Sequence, residues 1–525
     1  MKRNVVGIVL GFAFVTFASS AFAFGPYDDD PYGPRRPYHH GPRDRYDERY
    51  DDRRYDDADS SDDSADNTAV LKFFGLAPLP AVEPFTDVMN GKPVDTADIF
   101  LRQTKGKDRL LYALERGRIA QLAGDAATSK ESFELAISIF RQQEEQAMLS
   151  ATGAGRQALS IIINDKAVEY RGLGFERVMA HVFQAENYLA AGDLDGAAVE
   201  MRNVNAAQDE ALREHEQEID DAKKAADEKK VNVDLASGDA GTVFSQMDAA
   251  ASKVKNSFQN GYASYFSGLV SELMREPGDA YIEYKKVLGF APENPYVQAD
   301  VMRLAKALGM REDLAALQKK YPAVAGVKPR AADQGTLVVL FEEGSVPQKE
   351  GALIPLPMGS GLIAVAFPFY RGPWVAPQTM TVTVDSLQPQ VTAPIADMGA
   401  IVIKALKERI AAMAVKQIIR SSAKGVAVYQ AKKQLGILGE IAGSIYNVLS
   451  EQPDTRCWIS LPRHAQIVRM NVPSGDHAVT LTYGSSSAVA RYRVMPGGVT
   501  VIRVAIAGDH VLVKRLWGKE PTEEK

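Results

Sequence analysis

Apolar residues recur at intervals of three and four from residue 107 onward, the pattern of helices with one buried face. The pattern is clearest within residues 164–205, where one helical face carries Val178, Val182, Ala185 and Leu189. A tight turn follows at Gly192, and a second helix presents Ala197, Met201 and Val204. The sequence therefore predicts a helix-turn-helix hairpin in this stretch.

The same spacing of small and larger residues occurs three times. Ser129 and Phe133 stand twelve and sixteen residues after Gly117. Ala197 and Met201 stand at the same offsets after Ala185, and Ala280 and Tyr284 at the same offsets after Gly268. These offsets are typical of tetratricopeptide repeats, in which a small residue lets two antiparallel helices approach and a larger residue fills the groove beyond. We expect an α-helical repeat domain over residues 68–325.

Residues 206–256 interrupt this register with a charged run that has only a thin apolar stripe. We expect a long helical arm here. His215 and Glu216 begin a motif found in zinc proteases, but Ile219 stands where the second histidine would share their helix face. The arm therefore offers no metal site.

After residue 325 the pattern changes from helical to extended, and short β-rich stretches alternate with turn residues. Helical periodicity returns between two groups of such strands. The simplest arrangement is a β-sandwich built from residues 330–393 and 451–518, with a helical insertion at 394–450 and a charged tail at 519–525. The predicted fold class is α+β multidomain: an α-helical tetratricopeptide-like repeat array followed by a β-sandwich with a helical insertion.

The first residues resemble an export signal. A basic start is followed by a short apolar run, and Ala21 and Ala23 supply the small residues that signal peptidase requires. We expect a signal peptide at residues 1–23, cleavage after Ala23, and a periplasmic protein that is not a lipoprotein, because no cysteine follows the cleavage site. Residues 24–67 are rich in Asp, Tyr and Arg, and we expect a disordered acidic linker.

Charge and cysteine content exclude several functions. The formal net charge is −6, and residues 24–66, with 14 acidic and 7 basic side chains, account for it, so the remainder is near neutral and a nucleic-acid partner is not expected. Cys457 is the single cysteine, so the chain has no intrachain disulfide and no cysteine metal cluster. With no nucleotide-binding loop, nucleophile elbow or histidine cluster in the sequence, we expect no cofactor, no metal and no enzyme activity.

Two sets of residues are candidate binding sites. The first could grip an extended peptide between hairpins, or could instead fix the turn and cap the helix: Tyr170, Arg171, Phe175, Glu176, Arg177, His181 and Asn187. The second lies near basic residues and could contact an anionic membrane surface, or could pack on the rest of the fold: Ile437, Leu438, Ile441, Ile445 and Leu449.

Residues 164–205 resemble the hallmark segment of an uncharacterised bacterial cell-envelope family with tetratricopeptide-like repeats, many of whose members are lipoproteins. Residues 263–300, 335–350 and 454–483 are similar to later blocks of that family. The resemblance implies an envelope role and no established catalytic activity, and it assigns no functional residue. This chain departs from many members because it lacks a lipid-bearing cysteine.

Three functional hypotheses follow. The first is a non-catalytic exported scaffold or assembly factor of the cell envelope that binds a protein partner through its helical repeat groove. The second is a membrane-surface or pore-associated component that makes its contact through residues 394–449. The third is an enzyme that acts on wall glycans through a pair of carboxylates brought together by the fold.

Overall fold

The structure, a computed structural model, describes residues 79–151, 169–229, 238–326, 329–358, 361–435 and 453–521. All of them lie in one compact unit, Ser60–Lys525. Helices and strands both contribute extensively, so the predicted mixture of helix and sheet is confirmed. The expected signal peptide, with Ala21 and Ala23, and the expected linker lie outside the described residues.

The helices occupy most of the described residues before residue 326 and one later stretch. They are α1 Val82–Met89, α2 Arg109–Ala123, α3 Ala126–Ala151, α4 Gly174–Ala190, α5 Leu194–Lys229, α6 Gly238–Ser245 and α7 Asp248–Ala251. Next along the chain are α8 Gly261–Leu273, α9 Pro277–Phe290, α10 Pro295–Ala307, α11 Arg311–Lys320, α12 Pro322–Ala325 and α13 Met398–Leu435. A 3-10 turn at Gln103–Lys105 precedes α2.

Consecutive helices pack as hairpins: α2 with α3, α4 with α5, and α8 with α9. A Cβ placed on Gly117 would lie 3.1 Å from the ring of Phe133, and a Cβ on Gly268 would lie 2.7 Å from the ring of Tyr284. Both glycines therefore let the aromatic ring sixteen residues later approach the opposing helix, as the spacing in the sequence predicts.

The strands form three sheets. They are β1 Gln334–Glu343, β2 Glu350–Met358, β3 Gly361–Phe369, β4 Thr381–Val384, β5 Gln390–Val391, β6 Ala393–Asp397, β7 His464–Pro473, β8 Gly475–Tyr483, β9 Ser486–Val494, β10 Val499–Ile506 and β11 Leu512–Trp517. The largest sheet has the order β11-β10-β1-β7-β6, a second has the order β5-β4-β8-β9, and β2 pairs with β3. In the largest sheet β1 runs parallel to β10 and antiparallel to β7.

The five-stranded sheet is buried on both faces. Leu337, Val339 and Phe341 of β1 join a cluster shared with the four-stranded sheet. Val338 and Leu340, which point the other way, join the large cluster that includes the helices. Because successive side chains of a strand face opposite sides, this one sheet contacts both the second sheet and the helical layer.

Two details differ from the sequence-based expectations. The helix predicted from residue 394 begins at Met398, because residues 393–397 pair with β7 as an edge strand. The charged arm is the continuation of α5, which runs unbroken from Leu194 to Lys229. It packs along α13, where Glu218 contacts the guanidinium of Arg409 at 2.6 Å.

Candidate functional site

Residues 453–461, which we call the groove segment, run between the helices and the sheet without forming a helix or a strand. All but Asp454 are buried. Cys457 and Ile459 join the cluster around α1, whereas Trp458 between them faces the main helical cluster. Neighbouring side chains therefore point to opposite sides, as in an extended peptide.

Trp458 occupies an aromatic pocket between two helices. It is 1% exposed, and its ring centroid lies 6.1 Å from that of Phe133 on α3 and 5.7 Å from that of Phe183 on α4. The ring of Phe183 meets the indole at 83°, the edge-to-face geometry that aromatic rings favour. The indole N–H donates to the Ser460 hydroxyl at 2.9 Å, so the buried polar atom of Trp458 has a partner.

Two buried carboxylates bind the backbone of the groove segment. Glu115 on α2 accepts from the N–H of Ile459 at 2.7 Å and from the Ser460 hydroxyl at 2.5 Å. Glu176 on α4 accepts from the N–H of Trp458 at 3.3 Å. We define the helical groove as the surface formed by Glu115, Phe133, Tyr170, Glu176 and Phe183, since these side chains surround the groove segment.

The electrostatics of the two carboxylates are set by burial. Loss of water raises the pKa of Glu115 to about 8, because the hydrogen bonds from Ser460 and Ile459 offset only part of the desolvation of the charged form. Burial also raises the pKa of Glu176, and the hydroxyl of Tyr170 opposes that shift. The helical groove is therefore a low-dielectric site in which a carboxyl can be either neutral or charged near neutral pH.

A charged contact holds the start of the groove segment. The guanidinium of Arg456 donates to Asp108 at 2.6 Å and to Asp454 at 2.8 Å, and it lies 5.3 Å above the ring of Tyr170. Lys349 donates to the carbonyl of Arg456 at 2.9 Å. Backbone and side chain are thus both fixed at this end, and Trp458 follows two residues later.

Most of the residues predicted for partner binding have internal partners. Tyr170 donates to Glu176 at 2.7 Å, and Glu176 also accepts from the N–H of Leu173, which caps α4. Phe175 is 4% exposed. These contacts fit the alternative interpretation, in which the segment fixes the turn and caps the helix.

Of the remaining four residues, three also have internal partners and one is exposed. Arg177 contacts Glu144 at 2.8 Å, and the Nδ1 of His181 lies 2.6 Å from Glu200. Asn187 donates to Ser129 at 2.9 Å. Arg171 is exposed beside the helical groove. That this set also contacts a partner stays a prediction.

A second buried network joins the helices to the sheet. Arg118 on α2 pairs with Glu342 on β1, and Arg503 on β10 lies 3.2 Å from Glu186 on α4. The hydroxyl oxygen of Tyr262 lies 2.8 Å from the carboxyl group of Glu186 and 3.1 Å from that of Glu342, so its one proton can be donated to either.

The two acids of this network are close to each other and sealed from solvent. Burial, followed by the nearby charge of Glu342, raises the pKa of Glu186 to about 7, although Arg503 and Arg118 oppose the shift. Glu186 is 0% exposed and Glu342 is 1% exposed. A glycan substrate therefore has no open path to this carboxylate pair in the described fold.

A third network repeats this arrangement on the neighbouring strand β7. Arg469 on β7 contacts Glu272 at 2.7 Å and Asp300 at 3.2 Å. Arg303 contacts the same two carboxylates, each at 2.9 Å. Burial alone would raise the pKa of Glu272, but the two guanidinium groups outweigh it and lower that pKa to about 2.

The proposed membrane-contact residues Ile437, Leu438, Ile441, Ile445 and Leu449 lie outside the described residues. Within the described part of α13, Lys416 contacts Glu218 of the arm at 3.1 Å and Lys407 pairs with Asp248. These lysines therefore have protein partners. In the part of the chain that the structure covers, no helix is both long and apolar enough to cross a membrane.

Sequence reasoning named Tyr170 and Glu176 but did not find Glu115 or Trp458. One signal was present: Glu115, Arg116 and Arg118 interrupt an otherwise small and apolar helix. Glu115 meets Ile459, 344 residues later in the chain, and periodicity within a short window carries no information about such a contact.

Among the described residues, no group of His, Cys, Asp and Glu side chains has the arrangement of a metal site. Comparison with protein-family models, with curated proteins and with solved structures found no match to this chain. The helical groove must therefore be interpreted from its own geometry.

Proposed function

We propose that this chain is a non-catalytic scaffold or assembly factor of the bacterial cell envelope that binds a protein partner through the helical groove. In this proposal the chain is exported to the periplasm. Its helical hairpins act as a tetratricopeptide-like array, and its two larger sheets act as a β-sandwich with α13 as a helical insertion.

The observation that carries the proposal is the recognition of backbone N–H groups by Glu115 and Glu176. Every residue except proline has such a group, so the two carboxylates can hold an extended peptide of another protein in the same way. The pocket between Phe133 and Phe183 adds selectivity for an aromatic side chain. Main-chain bonds that supply affinity and a pocket that supplies specificity are the usual division in peptide recognition.

The groove segment then acts as an internal competitor. It is part of the same chain, so its effective concentration at the helical groove is on the order of millimolar or higher. A partner peptide must outcompete it or bind after it withdraws. We therefore expect free peptides to bind the wild-type chain weakly, and to bind more tightly when the groove segment is weakened.

The test is binding of a fluorescent peptide of residues 453–461, with Cys457→Ser to prevent oxidation, measured by anisotropy. The Trp458→Ala chain should bind this peptide at least about tenfold more tightly than wild type does, since the vacated pocket accepts the peptide's indole. Trp517→Ala, which alters a partly buried tryptophan on β11, is the matched control and should behave as wild type.

A scrambled peptide of the same composition should not bind either chain. If Trp458→Ala keeps its circular dichroism spectrum but binds the native peptide no better than the scrambled one, the helical groove is not a peptide-binding site. The milder Ser460→Ala chain, which removes one hydrogen bond to Glu115, decides the question if Trp458→Ala does not fold.

A further inference from the structure

The four-stranded sheet ends in an open edge strand, β9. It pairs with β8 on one side, in a regular register along its whole length. On its outer side one strand-like contact is made within the described chain, where the N–H of Arg493 donates to the carbonyl of Lys519 at 3.4 Å. The next bond of that ladder would need an N–H at Pro521, and proline has none. Among the residues that the structure describes, the outer side of β9 over residues 486–491 is therefore unpaired.

The backbone of this outer side carries free donors and acceptors. In an antiparallel pair, residues whose N–H and C=O groups point at the neighbouring strand alternate with residues whose groups point away from it. Arg493 points away from β8, so Arg491 and Val489 do as well. Ala478, which lies opposite Arg491, agrees with this, because its carbonyl accepts from Asp385 after β4 instead of from β9. Such a row of unpaired groups can bind another extended chain.

Other sheet edges in the described chain are covered by side chains. Asn294, directly before α10, donates to the carbonyls of Ala393 and Pro394 on the edge strand β6, at 3.0 Å each. Tyr296 donates at 2.6 Å to the carbonyl of Val391 in β5, the opposite edge of the four-stranded sheet. Proteins commonly cover their edges because exposed ones pair with other chains. The uncovered edge of β9 is available for such pairing.

The exposed face of this edge combines an apolar and a basic side chain. Ser487, Val489 and Arg491 are exposed, whereas Ala488 and Ala490 between them are half-buried. Val489 is 64% exposed, more than any other large apolar side chain in the described residues. An added strand would cover Val489, since side chains directly opposite each other in paired strands lie about 5 Å apart at Cβ.

Arg491 supplies a positive charge that a partner can neutralise. Its side chain is exposed and forms no ion pair with a described residue. The nearby acid Asp385 is already bonded: its pKa is lowered by the hydrogen bonds with His477 and with the N–H of Ala478, and less strongly by the charge of Arg491. An acidic side chain opposite Arg491 would form the cross-strand ion pair that the described residues do not supply.

We propose that the outer edge of β9, residues 487–491, binds an extended segment of a partner protein as an additional antiparallel strand, with an acidic residue opposite Arg491 and an apolar residue opposite Val489. Backbone bonds supply affinity, and the two side chains supply selectivity. A second copy of this chain is the less suitable occupant, because residues 486–491 contain no acidic residue and would leave Arg491 unneutralised. None of these residues belongs to the helical groove, so the two sites are separate.

Binding of a fluorescent heptapeptide to the full chain, measured by anisotropy, tests the proposal. In antiparallel pairing, the peptide Thr-Glu-Thr-Val-Thr-Glu-Thr places its valine opposite Val489 and a glutamate opposite Arg491. We expect saturable one-site binding, and binding at least about threefold weaker when both glutamates are replaced by lysine. Arg491→Ala should weaken binding of the acidic peptide about two- to fivefold. Arg311→Ala, which changes an exposed arginine on α11, should bind as wild type does.

Changes to the backbone distinguish strand pairing from other contacts. Val489→Pro removes an N–H that β8 does not use, at a position where an edge strand tolerates proline, and should weaken binding about fivefold or more. Val489→Ala keeps the N–H and should weaken binding less. In the peptide, N-methylation of the central valine should also weaken binding. N-methylation of the threonine before it should not, because that N–H points away from β9.

The proposal is overturned if the acidic peptide does not bind saturably, or if folded Val489→Pro binds it no more weakly than Val489→Ala does. If Val489→Pro does not fold, unchanged binding by Arg491→Ala overturns the proposal instead. A wild-type dimer in sedimentation that Val489→Pro converts to a monomer would overturn it too, because the edge of β9 would then be the interface with a second copy.

Discussion

The two carboxyl groups of the helical groove show how burial and hydrogen bonding compete at a single residue. Glu115 is 2% exposed, and its hydrogen-bond donors belong to Ile459 and Ser460 rather than to a cation. Neutral hydrogen-bond donors stabilise a carboxylate less than water and a counter-ion together do. Burial therefore favours the protonated form of Glu115. The groove segment is therefore held by a group whose charge changes near physiological pH.

Glu115→Gln tests this balance through stability. The pKa of Glu115 is raised from 4.5 to about 8, so its contribution to folding is fully present below pH 4.5 and is lost as the pH rises through 8. We expect the glutamine chain to match wild type near pH 5 and to exceed it by on the order of 4 kcal/mol at pH 9. Urea unfolding at both pH values measures the difference.

Glu312→Gln, an exposed change on α11, serves as the control and should not alter the pH profile. Glu186 and its partners remain in both chains, so their titration cancels in the comparison. An identical loss of stability between pH 5 and 9 in wild type and Glu115→Gln would show that Glu115 does not titrate in this range.

At the residue scale, local spacing predicted some contacts and missed others. The offset of sixteen residues correctly placed Phe133 against Gly117, because both residues belong to one hairpin. Tyr170 and Glu176 were recognised as unusual, but their orientation toward the groove segment was not. The Trp458 contact with Glu176 joins residues 282 positions apart, and only the assembled fold brings them together.

At the element scale, charged side chains join the five-stranded sheet to the helices. Glu342 on β1, Arg469 on β7 and Arg503 on β10 all point to the helical side and all find an opposite charge there. The structure buries both faces of the sheet, and the ion pairs offset the cost of burying these charged side chains on the helical side.

The Glu272–Arg469 pair provides a test of this connection. Replacing Glu272 alone with Met leaves the guanidinium of Arg469 buried with fewer partners, and we expect a loss of about 3 kcal/mol. Replacing both residues with Met should cost less than the sum of the two single changes, with a coupling of about 1–3 kcal/mol. Denaturant unfolding of the four chains measures it.

The exposed pair Lys285 and Asp313, with side chains 51% and 45% exposed, is the matched control and should show a coupling below about 1 kcal/mol. The pKa of Glu272 is lowered to about 2, so its contribution is present above pH 4.5 and is lost as the pH falls toward 2. Glu272→Met should therefore lose less stability on acidification. Equal couplings in the two pairs would contradict the account.

The positions of strands could be predicted where the sequence pattern of apolar and polar residues was simple. The strands β8 and β10 lie within residues 451–518, where the sequence predicts the second group of strands. β2 contains Pro355 and Pro357, and a two-stranded sheet leaves room for residues without a donor N–H. The edge strand β6 was read as helix because it directly precedes α13 and has only five residues.

At the scale of the whole molecule, the helical layer is closed by the chain itself. The groove segment fills the helical groove, and the five-stranded sheet covers neighbouring helices through Arg503 and Arg469. A repeat array commonly leaves its concave surface open for a partner. Here the partner-binding role that we propose requires replacement of an internal ligand, which makes Trp458 the residue that controls access.

Site-specific photo-crosslinking in intact cells tests this claim most directly. A photoreactive residue is placed at Arg171, which is exposed next to Tyr170 at the helical groove, and, as a control, at Met310, which is 39% exposed outside it. We predict an adduct with another envelope protein from position 171, increased in the Trp458→Ala background, and none from position 310. The account is contradicted if position 171 gives no adduct in either background, or only those formed from position 310.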